Sequence, residues 1–522
     1  MPIKKSMKTI VIFYDNKSSY ANEKYFGGKS ALELTALWAQ KLNLPAFTLN
    51  SKTLGELLYD MKKICENQNA QTVIFAYNDL PYLDIELSKK IIDSHHSYKS
   101  EYTFADGYPY GFAPEALNAG TIGILAEFAS TTQKSLGEKP VSRDCIYNLI
   151  KTDINSFDVE TIISDADYRL YRFAFHCGKK DNFFQCKALW NSIEINCDGK
   201  SASDLSAEEK SALSVVTGRC LKTVPGFYNI QISNPVSYDA VYKPYCAAYK
   251  EKYNLSPLRQ NFCGMSLENF SAIIDSAADF SEKAVVSLSA WGEPLFHPDF
   301  TAFVEKVLSY SGLSVFIETE GLLVTPELCE KLKSICDKAA ERTNDWPKIM
   351  IAVSIDSFTA ETYKKLHKEC ANDAFEKAVQ AVKLLQNALP GCVYPQFVRM
   401  NENEAELEPF YRYWSEKSNP SGGNLIIQKY NDFSGSLPPC KPADLSPLER
   451  DPCWHLRRDI TILANGDVPA CHNRVLCCIA GNVFRQPLEE IWYKTDGLLV
   501  DHMQCKYNEN CEKCDEWYTF NF

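Results

Sequence analysis

Four cysteines near the carboxyl end of the chain have the side-chain type and the spacing of a metal site: Cys453, Cys471, Cys511 and Cys514. The last two form a C-x-x-C turn, whose thiolates can converge on one centre. Four thiolates suit a tetrahedral zinc ion as well as an iron–sulfur cluster. The spacing therefore predicts a metal centre and leaves its metal open.

A predicted β-hairpin explains how the first two cysteines could meet. Between Cys453 and Cys471, residues 460–463 have the apolar character of a strand, and Asn465-Gly466 is a strong signal for a two-residue turn. A hairpin at this place would bring both sulfur atoms to the same end of the ribbon.

The composition limits the classes of protein to which the chain can belong. Its 522 residues are too many for one hydrophobic core, so more than one domain is expected. The net charge of −12 argues against nucleic-acid binding, which needs basic surface. No apolar stretch is long enough to cross a bilayer, and the apolar run at 9–14 is shorter than that of a signal peptide. With 20 cysteines and no export signal, we expect a cytoplasmic protein whose cysteines are thiols or metal ligands.

Three regions differ in the pattern of their apolar residues. Residues 1–197 alternate strand-like and helix-like segments, which predicts an α/β layer fold. Residues 226–430 repeat strand–helix units, which predicts parallel strands in an open sheet or a partial barrel. Residues 440–522 carry the cysteine cluster and little apolar material, so a metal would compensate for a thin core.

The expected elements follow from apolar runs and helical spacing. The predicted strands are 9–14, 71–76, 227–232, 284–289, 314–318, 349–355, 425–428 and 460–463. The predicted helices are 31–42, 54–66, 267–280, 299–309, 326–339 and 374–389.

The motifs around the cysteines resemble the SPASM domain, which accompanies radical S-adenosylmethionine (SAM) enzymes and holds auxiliary [4Fe–4S] clusters. In order along the chain they are Asn-Gly-Asp-Val-x-x-Cys at 465–471, Gly-Asn-Val-Phe at 481–484, Leu-Glu-Glu-Ile-Trp at 488–492 and Cys-x-x-Cys-Asp-Glu-Trp at 511–517.

This resemblance implies a small cysteine-rich domain with a β-hairpin and one [4Fe–4S] cluster. The ligands that it implies are Cys453, Cys471, Cys511 and Cys514. Cys478 or Cys505 is the alternative for one of the four.

The middle region resembles the radical SAM core, a partial (β/α) barrel. Residues 287–300 look like the strand and loop that hold the methionyl amine of SAM, which implies that Gly292 and Glu293 bind this cofactor. Residues 317–323 resemble the family's threonine–asparagine–glycine segment, with Glu320 in place of the asparagine.

The departure from that family lies just after the first barrel strand. Radical SAM enzymes hold their reducing cluster there with C-x3-C-x2-C, and this chain has Val236, Ala240 and Lys243 at the three positions. Cys246 and Cys263 follow at spacings unsuited to one cluster. Since none of the three replacements ligates iron as a thiolate does, we expect an iron–sulfur protein without radical SAM cleavage of the cofactor. The first alternative is an active radical SAM enzyme that modifies a peptide or a small molecule.

The amino-terminal region gives the second alternative, a nucleotidyltransferase. Residues 26–34 and 76–84 are similar to segments of sugar-nucleotide nucleotidyltransferases, which implies a GT-A-like domain. The similarity places a magnesium ligand at Asp79 and a second carboxylate at Asp165 or Asp167. The three regions together look like the family called spiro-SPASM.

Overall fold

The computed structural model describes residues 8–197, 200–216, 218–243, 264–344, 346–474 and 478–518. The chain divides into two units, Met1–Thr223 and Val224–Phe522. The predicted domain boundaries at 197, 226, 430 and 440 stay predictions. Cys246, Cys263 and Cys477 lie outside the described residues.

The first unit is built on a six-stranded mixed sheet in the order β2-β1-β3-β5-β4-β6. Its strands are β1 (Thr9–Tyr14), β2 (Ala46–Leu49), β3 (Thr72–Tyr77), β4 (Tyr102–Asp106), β5 (Glu115–Asn118) and β6 (Val159–Ile163). β1 runs parallel to β2 and β3, and β5 runs antiparallel to β3 and β4. β1 and β3 are almost wholly buried, as their apolar sequences require.

The helices of the first unit are α1 (Ala31–Lys41), α2 (Leu54–Gln68), α3 (Ile85–Tyr98), α4 (Ala119–Ser130), α5 (Lys134–Gly137), α6 (Cys145–Lys151), α7 (Lys180–Asn196), α8 (Ala207–Val216) and α9 (Gly218–Leu221). Capping boxes fix two of the starts. Ser30 exchanges hydrogen bonds with Glu33 at the start of α1, and Thr53 does so with Glu56 at the start of α2. The alternation of strands and helices expected for this region is present, and its GT-A-like identity stays a prediction.

The second unit is built on a curled, parallel half-barrel sheet of seven strands in the order β14-β13-β11-β10-β9-β7-β15. The strands of this unit are β7 (Phe227–Ile230), β8 (Asp239–Ala240), β9 (Ala284–Ser287), β10 (Leu313–Thr319), β11 (Ile349–Ser354), β12 (His367–Lys368), β13 (Val393–Arg399), β14 (Ile426–Lys429), β15 (Asp459–Ile462), β16 (Asp467–Pro469) and β17 (Ile479–Asn482). Its helices are α10 (Leu267–Ser281), α11 (Phe300–Leu308), α12 (Pro326–Lys338), α13 (Ala360–Leu366), α14 (Ala374–Ala388), α15 (Leu407–Trp414), α16 (Trp454–Arg458), α17 (Leu488–Lys494), α18 (Asp496–Met503) and α19 (Glu509–Glu512).

One face of the half-barrel sheet changes from apolar to polar towards the carboxyl ends of its strands. Its apolar side chains are Val285, Phe316, Met350 and Ala352, with Phe227, Tyr394 and Ile426 packed against them. Two residues further along the strands, the same face carries Asn229, Ser287, Glu318, Ser354, Gln396 and Gln428. The sheet therefore offers polar side chains at the end where parallel α/β folds bind their ligands.

The C-terminal part of the chain contributes both to the barrel sheet and to a hairpin. β16 and β17 pair antiparallel, which confirms the hairpin expected for this domain. The prediction that residues 460–463 belong to that hairpin is wrong, because β15 pairs parallel with β7. The turn at Gly466 is present, and this residue has a φ of +84°.

The helices also bear on the expected absence of membrane spans. Among the described residues, none of the helices combines the length and the apolar character that a bilayer crossing requires.

Candidate metal centre and barrel site

The four predicted cysteine ligands lie on separate short elements of the C-terminal part. Cys453 is the residue before α16, and Cys471 follows β16 after one residue. Cys511 is in α19, and Cys514 follows that helix. All described cysteines are free of disulfides.

The electrostatic environment shows that these thiols are neighbours. Burial raises the pKa of Cys453 well above its usual value, and Cys471 and Cys514 raise it further. Burial raises the pKa of Cys471 to about 12, with Cys514 and Cys511 adding to the effect. Such thiols become thiolates only if a cation compensates their charge, which a bound metal centre does.

Two nitrogen groups point at one of the sulfur atoms. The Nδ2 of Asn473 donates to the Sγ of Cys514 at 3.5 Å, and the backbone nitrogen of Glu516 donates to it at 3.4 Å. Hydrogen bonds of this kind stabilise a thiolate ligand and tune its metal.

The chemistry of the donors bears on the kind of metal. Four thiol groups suit the thiolate coordination of an iron–sulfur cluster, and they suit a tetrahedral zinc ion as well. The alternative ligands Cys478 and Cys505 are both exposed.

Glu293, expected to bind SAM, is buried, with only 3% of its surface exposed. Its Oε1 accepts hydrogen bonds from the Oγ1 of Thr319 at 2.8 Å and the backbone nitrogen of Leu295 at 3.0 Å. Its Oε2 accepts from the backbone nitrogen of Glu320 at 2.7 Å. Burial, followed by the charge of Glu320, raises the pKa of Glu293 to about 8. The carboxyl group is thus engaged by neighbouring parts of the chain.

Gly292 lies where two loops make a close approach. A Cβ atom at this position would be 2.0 Å from the carbonyl oxygen of Ser233. The next backbone nitrogen, that of Glu293, donates to the carbonyl oxygen of Pro235 at 2.8 Å. Packing against the loop after β7 is therefore enough to require glycine here.

Val236, Ala240 and Lys243 are the residues that the resemblance aligns with the cluster cysteines of radical SAM enzymes. Val236 is 0% exposed and Ala240 is 2% exposed. The Nζ of Lys243 lies 3.3 Å from the Oε1 of Glu318. Burial disfavours the charge on Lys243, but the charges of Glu318, Glu320 and Glu293 outweigh it and raise the pKa of this lysine.

Glu320 forms a hydrogen bond with the loop that contains Val236. Its Oε2 accepts a hydrogen bond from the backbone nitrogen of Ser237 at 2.9 Å, while its Oε1 is buried without a hydrogen-bond partner among the described residues. Glu320 thus binds the loop that carries Val236 and Ala240.

Sequence reasoning missed an aromatic and carboxylate group beneath this loop. The hydroxyl of Tyr242 donates to the Oδ2 of Asp356 at 2.7 Å, and the Nε2 of His367 lies 3.2 Å from the same oxygen. The ring of Tyr238 stacks on His367 with their centroids 4.4 Å apart. Tyr242 and Asp356 are 114 residues apart in the sequence and no motif connects them, so only the fold brings this group together.

The candidate magnesium ligand of the first unit is already paired. Asp79 is 0% exposed, and its two oxygens accept from the guanidinium of Arg143. The Nδ2 of Asn16 donates to the Oδ2 of Asp79 at 2.7 Å. Asp165 is exposed, and Asp167 forms an ion pair with Arg169 at 2.7 Å. The structure gives Asp79 no carboxylate partner among these residues.

The geometry agrees with two sequence profiles. The radical SAM superfamily matches residues 244–413, a match that begins directly after Lys243. The iron–sulfur cluster-binding domain named SPASM matches residues 453–515, which include all four cysteines. The chain thus carries a radical SAM domain and a SPASM domain, and the expected [4Fe–4S] cofactor is confirmed at the level of the domain.

A relative and two solved structures resemble the chain. An uncharacterized protein of Treponema pallidum (strain Nichols) is 38% identical over 389 residues, which are 72% of this chain and 98% of that protein. The chain belongs to one family with this protein. SuiB of Streptococcus suis, bound to its precursor peptide SuiA, is 13% identical with a TM-score of 0.41, over 64% of this chain and 82% of SuiB. BtrN in complex with AdoMet and 2-DOIA is 14% identical with a TM-score of 0.34, over 56% of this chain and 94% of BtrN.

Proposed function

We propose that this chain is a non-radical iron–sulfur protein of radical SAM/SPASM architecture. It holds one [4Fe–4S] cluster through Cys453, Cys471, Cys511 and Cys514. Its half-barrel binds a polar ligand without reductive cleavage of SAM.

The observation that carries this proposal is the ion pair between Lys243 and Glu318. An iron–sulfur cluster at the mouth of the barrel needs three thiolates, and the third position holds an ammonium group that a carboxylate already neutralises. The other two positions, Val236 and Ala240, are buried aliphatic side chains without a donor atom. Among the described residues, the side chains at these three positions do not fit a reducing cluster.

The cysteines of the SPASM domain support the other half of the proposal. Four thiolates give each iron of a [4Fe–4S] cluster a protein ligand, which leaves no iron open to a substrate. A cluster held in this way serves electron transfer or the stability of the domain. A reduced cluster domain also requires free thiols, which supports a location in the cytoplasm.

The polar side chains at the carboxyl ends of the barrel strands indicate the kind of ligand that the half-barrel accepts. Lys243 and Glu318 present opposite charges at 18% and 27% side-chain exposure. These groups can hydrogen-bond and pair with a small polar molecule or with the backbone of a peptide. We therefore propose a peptide or a small zwitterionic compound as the ligand.

A cleavage assay tests the proposal. Reconstituted protein is incubated anaerobically with dithionite and SAM, and 5′-deoxyadenosine and methionine are quantified. We expect the wild-type protein to form no more 5′-deoxyadenosine or methionine than a variant that lacks the four SPASM cysteines. Catalytic formation of 5′-deoxyadenosine that depends on the reconstituted protein would overturn the proposal and favour an active radical SAM enzyme.

A further inference from the structure

A second group of ligand atoms lies beside the cysteines. One ring nitrogen of His455, one of His472 and a carboxylate oxygen of Glu516 all lie within 4.8 Å of one another. Two of these residues are buried, and His472 is half-buried. We propose that these three residues bind a single divalent transition-metal ion, zinc or ferrous iron, separate from the cluster.

His455 is oriented in the way that a metal-binding histidine requires. Its Nδ1 donates to the Oδ2 of Asp459 at 2.5 Å, and Asp459 is held in turn by the guanidinium of Arg458. Its Nε2 is buried and has no hydrogen-bond partner in the part of the chain that the structure describes. A carboxylate on one ring nitrogen fixes the tautomer and leaves the lone pair of the other nitrogen for a metal. A buried imidazole nitrogen without a partner is costly unless a ligand satisfies it.

His472 and Glu516 supply the second and the third ligand of the site. The ring of His472 lies edge-on to that of His455, with the centroids 4.4 Å apart. Glu516 is 4% exposed, and its Oε1 accepts from Lys429. Since a carboxylate has two oxygens, Glu516 can bind the lysine with one and a metal with the other. Lys429 then fixes the side chain as an outer partner, which is the role of Asp459 at His455.

The chemistry of the donors separates this site from the cluster. Two imidazoles and one carboxylate are borderline and hard donors, which suit zinc or ferrous iron and not a cluster that prefers thiolates. Three protein ligands leave coordination positions open to water or to an external ligand. The inference does not depend on which metal the four cysteines hold.

The test measures metal in excess of acid-labile sulfide. Full-length protein is purified anaerobically, supplied with zinc or ferrous iron in separate samples, and desalted. We expect about one zinc or iron per chain beyond the iron that matches the sulfide. His472→Asn and Glu516→Gln should lose this additional ion and keep the sulfide and the cluster absorbance.

His502→Asn is the matched control. His502 is buried in the same domain, and its Nδ1 accepts from the backbone nitrogen of Cys453 at 3.4 Å. Its Nε2 also has no hydrogen-bond partner among the residues that the structure describes. Because it is not part of the group of three, this variant should keep the additional ion. If it loses the ion as the other variants do, the effect comes from general damage to the domain, and the assignment is wrong.

X-ray absorption of the zinc-loaded wild-type protein does not depend on the stability of any variant. We expect nitrogen and oxygen ligands at about 2.0–2.1 Å. Sulfur ligands at about 2.3 Å with no nitrogen or oxygen ligand would place all of the zinc on the cysteines and contradict this inference. Failure to retain any ion beyond the cluster would overturn this inference alone.

Discussion

Lys243 stands among carboxyl groups that lie on three different loops or strands of the half-barrel. Glu318, Glu320 and Glu293 all favour its charged form. Burial, in turn, raises the pKa of Glu293 and of Glu320. Without the lysine, these buried carboxyl groups would bind protons, and its positive charge therefore allows them to ionise.

Replacement of this lysine should make stability depend more strongly on pH. A carboxyl group whose pKa is raised in the folded state stabilises the fold below its unfolded pKa and loses that contribution as the pH rises. In Lys243→Met the carboxyl groups lose their cation, so we expect a loss of about 2 kcal/mol at pH 8.5 and a smaller loss at pH 6. Urea unfolding of the second unit at both pH values measures this change in the free energy of unfolding.

Lys377→Met is the control for that experiment. Lys377 pairs with Asp373 on an exposed surface, where solvent screens the ion pair and its loss should leave stability almost unchanged at both pH values. A loss in Lys243→Met that is equal at both pH values would show that the glutamates do not titrate as described.

Asp79 makes a second prediction at the level of single residues. Because Arg143 and Asn16 already hold its carboxylate, Asp79→Asn should destabilise the first unit by about 3 kcal/mol, as expected when one partner of a buried ion pair is removed. The exposed Asp167→Asn should cost less than about 1 kcal/mol. Thermal unfolding measures both. Pyrophosphate release from nucleoside triphosphates that needs magnesium and Asp79 would instead support a nucleotidyltransferase.

Among the elements, those with apolar runs were predictable and those with mixed faces were not. β1, β9, β10 and β11 match their predicted ranges within two residues, because burial on both sides makes them continuously apolar. β13 was not predicted, since Pro395 and Gln396 interrupt the apolar pattern of its sequence. The short β2 and β6 are half-exposed and carry little apolar pattern.

The partner of β15 could not be predicted from local sequence. The segment reads as a strand and the following turn reads as a hairpin, yet the strand pairs with β7, more than two hundred residues earlier in the chain. Local signals fix the type of an element, whereas its partner depends on the packing of the whole unit. The cysteine motifs were predictable because they occur in order within one segment. The group of His455, His472 and Glu516 was not, because no spacing rule connects them.

Gly466 tests the turn that separates β15 from β16. It has a φ of +84°, and a Cβ here would lie 2.5 Å from the ring of Phe484. Gly466→Ala should therefore destabilise the second unit by about 1–2 kcal/mol. Gly497→Ala is the matched control, because that residue lies in α18 with no atom within 4 Å of a new Cβ, and the change should be neutral or slightly stabilising. Equal unfolding midpoints for the two variants would contradict this account of the turn.

For the molecule as a whole, β15 connects the metal centre to the barrel. Cys453 precedes the short helix α16, which leads directly into β15, and β15 is the edge strand of the seven-stranded sheet. Ligands that fold around a metal centre transfer the binding free energy to the structure that they order. The cluster should therefore stabilise the barrel sheet as well as the C-terminal domain.

Removal of the metal should destabilise β15 and the neighbouring strand β7. After chelation under oxidising conditions and re-reduction of the thiols, we expect faster amide hydrogen exchange in β15 and β7. β1 and β3 of the first unit provide the internal reference and should keep their exchange rates. Unchanged exchange in β7 would show that the metal centre acts on the C-terminal domain alone.

Acid-labile sulfide per chain tests the central claim most directly, because it counts cluster sulfur and ignores any mononuclear ion. Anaerobically reconstituted protein should contain about four sulfide ions per chain, and the variant with serine in place of Cys453, Cys471, Cys511 and Cys514 should contain none. About eight sulfide ions would reveal a second cluster and contradict the account of the barrel. None in the wild-type protein would contradict the metal centre itself.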